Sequence, residues 1–352
     1  MQQGLAAGKR AATLAQAGDD AGTAAADSAA DRALAAAARR DPAWGAPVLE
    51  RARLAYQQSR RRGVNAAYAA PHVARAVAFA DAAVRLDTAS AAAVGARGIA
   101  RYWEWLLHAN APDELTRDRN VRLAGADLER ATRLDPAQAD AWNVLSHYYT
   151  NFGTIGDAKI AALRAYQADA YLSGADALLH RLYETSYQLG QFDEARRYCG
   201  EQARRYPASP RRAECALWLL SVPDAPAPTP AQAWALAAER VALAPPARRA
   251  AVARGNLAPV AAALARAGLA DSARRVLDGL LADRAALTPQ MALDAAWVWT
   301  LLGDNGRAVD VLKQFVTVEP ATAAQVGKSM GENWWWRPLQ TDPRFLALFN
   351  VQ

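Results

Sequence analysis

Residues able to do chemistry are few in this chain and widely scattered. Four histidines, His72, His108, His147 and His180, stand too far apart for a metal motif, and neither Cys-x-x-Cys nor His-Glu-x-x-His occurs. No resident metal or cofactor is therefore expected. Gly327-Lys328-Ser329 has the ending of a phosphate-binding loop, but Thr322 stands where the leading glycine belongs and no strand precedes it. There is no Gly-x-Ser-x-Gly elbow and no glycine-rich dinucleotide turn. Carboxylates fall singly on helix-forming stretches, where they serve solubility and local pairing. With no catalytic constellation, the chain is expected not to be an enzyme. Cys199 and Cys215 fall on neighbouring predicted helices and are expected as buried free thiols.

Bulk composition narrows the classes further. The 41 basic residues interleave with 35 acidic ones, so the net charge of +6 is spread over the chain. A nucleic-acid reader concentrates its charge on one face, and no specific nucleic acid is expected as partner. Clusters such as Arg60–Arg62 and Arg204, Arg205, Arg211, Arg212 read as solvated helix ends. An apolar content of 52% supports a large core. No stretch reaches the ~20 uninterrupted apolar residues of a membrane span. Met1–Gly22 carries Lys9, Arg10, Asp19 and Asp20 without a compact apolar run, so the sequence is expected to be cytosolic as written or excised from a longer protein.

What must position any site is a ladder of helices. Small residues recur at Ala30, Ala76, Ala124, Ala158, Ala195, Ala233, Ala273 and Ala308. Twelve residues after each stand Pro42, Thr88, Pro136, Ala170, Pro207, Pro245, Ala285 and Pro320, five of the eight being proline, which stops a helix because it cannot donate the next backbone bond. The repeating step is a helical hairpin. Two antiparallel helices approach closely only where side chains are short, which explains the alanines. Turn glycines Gly153, Gly190, Gly268 and Gly303 fit beside them. Unequal spacing places insertions between units, the clearest being Ala109–Asn120, where Pro112, Asp113 and Asp118 predict a loop between helices over Ala91–His108 and Val121–Leu134. Trp103 and Trp105 cannot both face one core, and one is expected under that insertion.

The best copy carries Trp142, Leu145, Tyr149, Gly153, Ala158, Ala162 and Ala165. It resembles the tetratricopeptide repeat (TPR), whose ~34-residue unit follows the same order of residue types. The resemblance implies an all-α, TPR-type right-handed α-solenoid of about eight helical hairpins with a C-terminal capping helix. It is expected as one superhelical domain over 1–352, with weaker repeats over 1–90, the best over 91–210, further repeats over 211–320 and a capping segment over 321–352. Gly4–Ser28 lacks the aromatic positions, so the first repeat is expected to begin late or fray.

In such an array the first helices line a concave face, and the second, fifth, ninth, twelfth and thirteenth repeat positions point into it. The resemblance thus implies Asp140, Asn143, His147, Thr150 and Asn151 in the fourth unit and Ala177, His180, Glu184, Tyr187 and Gln188 in the fifth. In the sixth, where Pro223–Pro230 lengthens the turn by about four residues, it implies Arg211, Glu214, Trp218 and Ser221. Tyr187 and Trp218 are the expected aromatic anchors of a protein or peptide ligand. Glu184 argues against capture of a negative peptide end.

After the last hairpin, Asn333-Trp334-Trp335-Trp336-Arg337-Pro338-Leu339-Gln340-Thr341-Asp342-Pro343-Arg344-Phe345 leads into a short helix. This run, with Asp41-Pro42-Ala43-Trp44 and Tyr102-Trp103-Glu104-Trp105, is similar to the TPR regions that follow the kinase domain in many bacterial serine/threonine protein kinases. No kinase motif is present. The resemblance implies a non-enzymatic binding scaffold or the ligand-sensing arm of such a kinase. The tryptophan-rich segment is expected to cover the apolar end of the array.

Overall fold

All regular structure among the described residues is helical, with no strand. The computed structural model describes residues 1–63, 65–110, 113–172, 174–318 and 327–349. Antiparallel pairs follow one another along the chain: α1 (Gln2–Gln16) with α2 (Asp20–Arg40), α3 (Gly45–Arg60) with α4 (Ala66–Leu86), and α5 (Ala91–Leu106) with α6 (Glu114–Leu134). Next come α7 (Ala139–Phe152) with α8 (Ile155–Ala168), α9 (Ala175–Gln188) with α10 (Phe192–Arg205), and α11 (Pro210–Leu219) with α12 (Pro230–Leu243). A short α13 (Arg249–Gly255) precedes α14 (Leu257–Arg266) with α15 (Ala270–Ala282), and α16 (Pro289–Leu301) pairs with α17 (Asn305–Val318). A 3-10 turn over Trp334–Leu339 and a final α18 (Pro343–Leu348) complete the chain. The fold is the all-α solenoid of helical hairpins.

Close approach at the alanines holds each hairpin together. All eight ruler residues lie on the second helix of a pair and are 1% exposed or less. Glycines serve the same purpose on the facing helices. A Cβ at Gly98 of α5 would sit 2.9 Å from the Leu128 side chain and 3.0 Å from its backbone nitrogen on α6. The first hairpin is complete: Gly4 and Ala11 of α1 are buried, and a Cβ on Gly4 would meet Leu34 of α2 at 2.7 Å. Tight packing of small residues stands in for the missing aromatic positions there.

Helices stop where the punctuation predicts. The second helices of the first six pairs end two residues before their closing position. In four of them an aspartate ends the helix and its carboxylate accepts the backbone N–H two residues on: Asp41 from Ala43, Asp87 from Ala89, Asp135 from Ala137 and Asp169 from Tyr171. Pro320 lies outside the described residues. Gly190, Gly268 and Gly303 take positive φ, as does Gly18 in the first turn, whereas Gly153 does not.

Two local expectations are corrected, the loop after α5 and the state of the cysteines, while that for the paired tryptophans agrees with the structure. The loop after α5 is shorter than Ala109–Asn120, because Asp113 accepts the Thr116 N–H and starts α6 at Glu114, placing Asp118 inside the helix; Pro112 lies outside the described residues. Trp103 does pack beside Leu107 and Ala109, while Trp105 stacks on Tyr102. Cys199 of α10 and Cys215 of α11 form a disulfide with Cα atoms 5.8 Å apart, not two free thiols. It ties the fifth hairpin to the sixth, within the distance such a bond requires.

The chain divides into two compact units, one of residues 1–148 and 164–172, the other of 149–163 and 173–352. In the first, Arg97 and Arg101 of α5 clamp Asp127 of α6, and Arg101 also holds Asp81 of α4, so adjacent hairpins share one ion-pair network. In the second, the Pro-rich turn after α11 is pinned by Arg266 of α14, which donates to the carbonyls of Pro223 and Ala225.

Candidate functional site

The second unit gathers polar and aromatic side chains from the first helices of several hairpins. On α9, His180, Glu184 and Gln188 follow one another at helical spacing; on α11 stands Glu214, and on α16 Gln290 and Asp294. His180 Nε2 lies 3.9 Å from Glu214, whose other oxygen takes Arg240 of α12 at 2.5 Å. Arg240 also donates to Asn256 Oδ1 at 2.8 Å, and Asn256 donates to the Ala237 carbonyl. One arginine therefore neutralises Glu214 and locks α12 to the junction of α13 and α14. Glu184 has no ion-pair partner among the described residues.

Asp294 is the unusual group. It sits in an otherwise apolar helix, 9% exposed, with its carboxylate accepting from Gln290 Nε2 at 2.8 Å. Burial pushes its carboxyl up to about 7; the Gln290 bond pulls down, the charges of Glu214 and Glu184 push up again, and Arg240 opposes them. The folded carboxyl keeps a proton that the unfolded chain, at its ordinary 3.8, has released. Stability is therefore undiminished by this group at low pH, falls as pH rises from about 4 to about 7, and stays lowered above that. Asp294→Asn is expected to remove that decline, on the order of 2–4 kcal/mol. Urea unfolding of both proteins across this range checks it, and parallel pH profiles would refute the assignment.

Beside these groups runs a cleft of about 290 Å³. Its walls include Asn151 at the end of α7, Glu184 and Gln188 of α9, Gln290 of α16, and Asn333, Trp335 and Trp336 of the C-terminal segment. Of the residues expected to bind a partner, the structure brings Asn151, Glu184 and Gln188 to this cleft and sets His180 and Glu214 beside each other. Arg211 is turned to Asp176 at 2.7 Å. Asn143 and His147 belong to the first unit, where the Tyr102 hydroxyl lies 3.1 Å from both the His147 ring and its carbonyl.

Tyr187 and Trp218 are placed differently from the open anchors expected of them. They are 2% and 8% exposed, inside an aromatic cluster with Trp297, Trp334 and Trp335. Trp297 and Trp335 stack at 4.3 Å, and the Tyr187 hydroxyl donates to Ser221, whose own hydroxyl donates to the Trp218 carbonyl. The cause is the C-terminal segment, which lies over the first helices instead of only covering the last hairpin. Glu332 accepts the Gly156 N–H at the start of α8, and Lys328 donates to the Phe152 carbonyl. Lys328 thus has a structural bond, while Thr322 lies outside the described residues.

Sequence reasoning missed Gln290, Asp294 and Trp297. Carrying the register of Ala308 back to α16 places Gln290 and Trp297 on the second and ninth positions, so two of the three were within reach. Asp294 had its own signal, being the one charge in α16.

Among the described residues no three His, Cys, Asp or Glu groups gather to hold a metal, and no helix is long and apolar enough to cross a membrane. No protein-family profile and no curated protein matches the chain. Among solved structures it is similar to yeast Tom70, at 12% identity and TM-score 0.41 over 95% of this chain, which spans 64% of the Tom70 chain. A tetratricopeptide repeat protein from Parabacteroides merdae matches at 13% identity and TM-score 0.35, covering 94% of this chain and all of that one (100%). The TPR domain of P58(IPK) matches at 12% and 0.25, covering 93% and 96%. Values this low carry no functional inference.

Proposed function

We propose that the chain is a non-enzymatic scaffold that binds a protein or peptide on the first-helix face of its second unit. The cleft of about 290 Å³ supports this reading most directly, because polar side chains from three separate hairpins meet in it. Its size suits one side chain or one chain end, with the rest of the ligand lying along neighbouring helices. Glu184, which lines the cleft without an ion-pair partner, favours a positively charged anchor: a Lys or Arg side chain or a peptide amino terminus.

Fluorescence anisotropy with short labelled peptides that differ only in charge tests this. Basic peptides are expected to bind more tightly than acidic ones, and Glu184→Gln to weaken them about tenfold while leaving the melting temperature unchanged. Equal affinity for both charge types, or an indifferent Glu184→Gln, would overturn the reading. A second reading, the ligand-sensing arm of a bacterial serine/threonine kinase, is favoured by the run from Leu339 to Phe345. There Asp342 accepts the Arg344 N–H and opens α18, which packs Phe345 fully into the core.

A further inference from the structure

The first unit holds a larger cavity of about 600 Å³, framed by the ends of α1 and α3 and the starts of α2 and α4. Its lining carries three arginines, Arg61, Arg62 and Arg75, against two carboxylates, Asp20 at the mouth of α2 and Asp27. Arg61 is held by Asp27 through both terminal nitrogens, one at 2.6 Å, so this carboxylate is already satisfied. Arg62 lies over the Tyr68 ring at 4.9 Å and pairs with no carboxylate among the described residues. Arg75 makes a long contact with Asp31, 3.4 Å, lies 5.8 Å from the centre of the Phe79 ring, and keeps an exposed side chain. Arg62 and Arg75 therefore outnumber Asp20, the one lining carboxylate without an ion-pair partner among the described residues, and leave the cavity with a net positive charge.

The floor is of another kind. Thr23 and Gln58 are 4% and 7% exposed, and Thr23 Oγ1 and Gln58 Oε1 are both buried with no hydrogen-bond partner. His72 Nδ1 is in the same position. Burial, then the charges of Arg75 and Arg61, hold His72 below its usual range, so at neutral pH the ring is uncharged and offers an acceptor. Leaving such atoms unmet is costly, because each has given up its bonds to water without gaining a partner. Guanidinium groups at the rim want an oxyanion; a hydroxyl and two acceptors below want groups that donate as well as accept.

We propose that this cavity is a binding site for a small phosphate monoester of a hydroxylated carbon frame, of the sugar phosphate class. Arg62 and Arg75 hold the phosphate, and Thr23, Gln58 and His72 take the hydroxyl groups. The site is independent of the peptide cleft, since every residue in it belongs to the first unit.

Isothermal titration of the full chain with glucose 6-phosphate, inorganic phosphate and glucose as probes tests the assignment. Glucose 6-phosphate is expected to bind saturably and about tenfold more tightly than inorganic phosphate, with glucose alone weaker than both. Arg62→Ala, at an exposed side chain, is expected to weaken both phosphates about tenfold with the circular dichroism unchanged. The isosteric Thr23→Val is expected to remove only the advantage of the sugar phosphate. Absence of saturable glucose 6-phosphate binding, or equal binding by wild type and the double variant Arg62→Ala/Arg75→Ala, would overturn the proposal. So would a Thr23→Val protein that keeps the full advantage.

Discussion

Removing the chain from Asn333 onward is expected to destabilise the second unit more than any single substitution, on the order of 5 kcal/mol or more. The segment buries Trp335, Trp336, Leu339 and Phe345 to 7, 2, 0 and 0% exposure. Burying one large apolar side chain contributes roughly 1.5–3 kcal/mol, offset in part by the entropy of ordering the segment. Truncation also uncovers Tyr187, Trp218 and Trp297, against which Trp334 and Trp335 lie at ring separations of 4.3 to 5.9 Å. Urea unfolding of the truncated protein should show its midpoint well below that of the full chain, and native tryptophan emission, to which the exposed Trp44 and Trp234 contribute in both proteins, should become more accessible to acrylamide. An unchanged midpoint would mean that the segment only rests on the surface.

The second large effect is in the same cluster. Tyr187→Ala and Trp218→Ala are each expected to cost about 3–5 kcal/mol, because each opens a cavity that its neighbours fill only in part. The pair shares contacts, so the double variant should lose less than the sum. Read as open ligand anchors, the same two residues would have left the melting temperature nearly unchanged when replaced. The repeat register assigns both to the inward face of a bare array, but a segment more than a hundred residues downstream covers them. Chemical unfolding decides between the two: loss of stability fits the cluster, while intact stability with lost ligand binding fits exposed anchors.

The repeating part of the fold was legible because it is local. Ala30 through Ala308 report where two helices touch, and the Pro or Asp-containing closings report where each helix stops; both follow from spacing alone. Features that depend on a particular neighbour were not legible. Cys199 and Cys215 could be placed on adjacent helices, yet only their 5.8 Å separation allows the bond. Asp113 looked like a loop residue and is a helix cap, since Asp serves both and the N–H it accepts belongs to Thr116. Asp294 shows as a lone charge in α16, but its raised carboxyl comes first from burial and then from the charges of Glu214 and Glu184, and both causes depend on elements brought from other hairpins.

The same distinction applies to the candidate site. Repeat positions pointed to Asn151, Glu184 and Gln188, which line one cleft, and to His180 and Glu214, which stand together. They did not show that Arg240 would neutralise Glu214 or that Asn333 and Trp335 would form the opposite wall. Under the proposed function those contributions set the charge and size of what the cleft would accept, and with them the expected preference for a basic anchor.

Backbone hydrogen exchange of the full chain, with and without the tightest basic peptide from the charge series, tests the central claim most directly. Binding on the first-helix face predicts slowed exchange at the end of α7, along α9 and α11 and at the start of α16, with α10, α12, α15 and α17 unaffected. Protection confined to those second helices, or to the first unit, would contradict it.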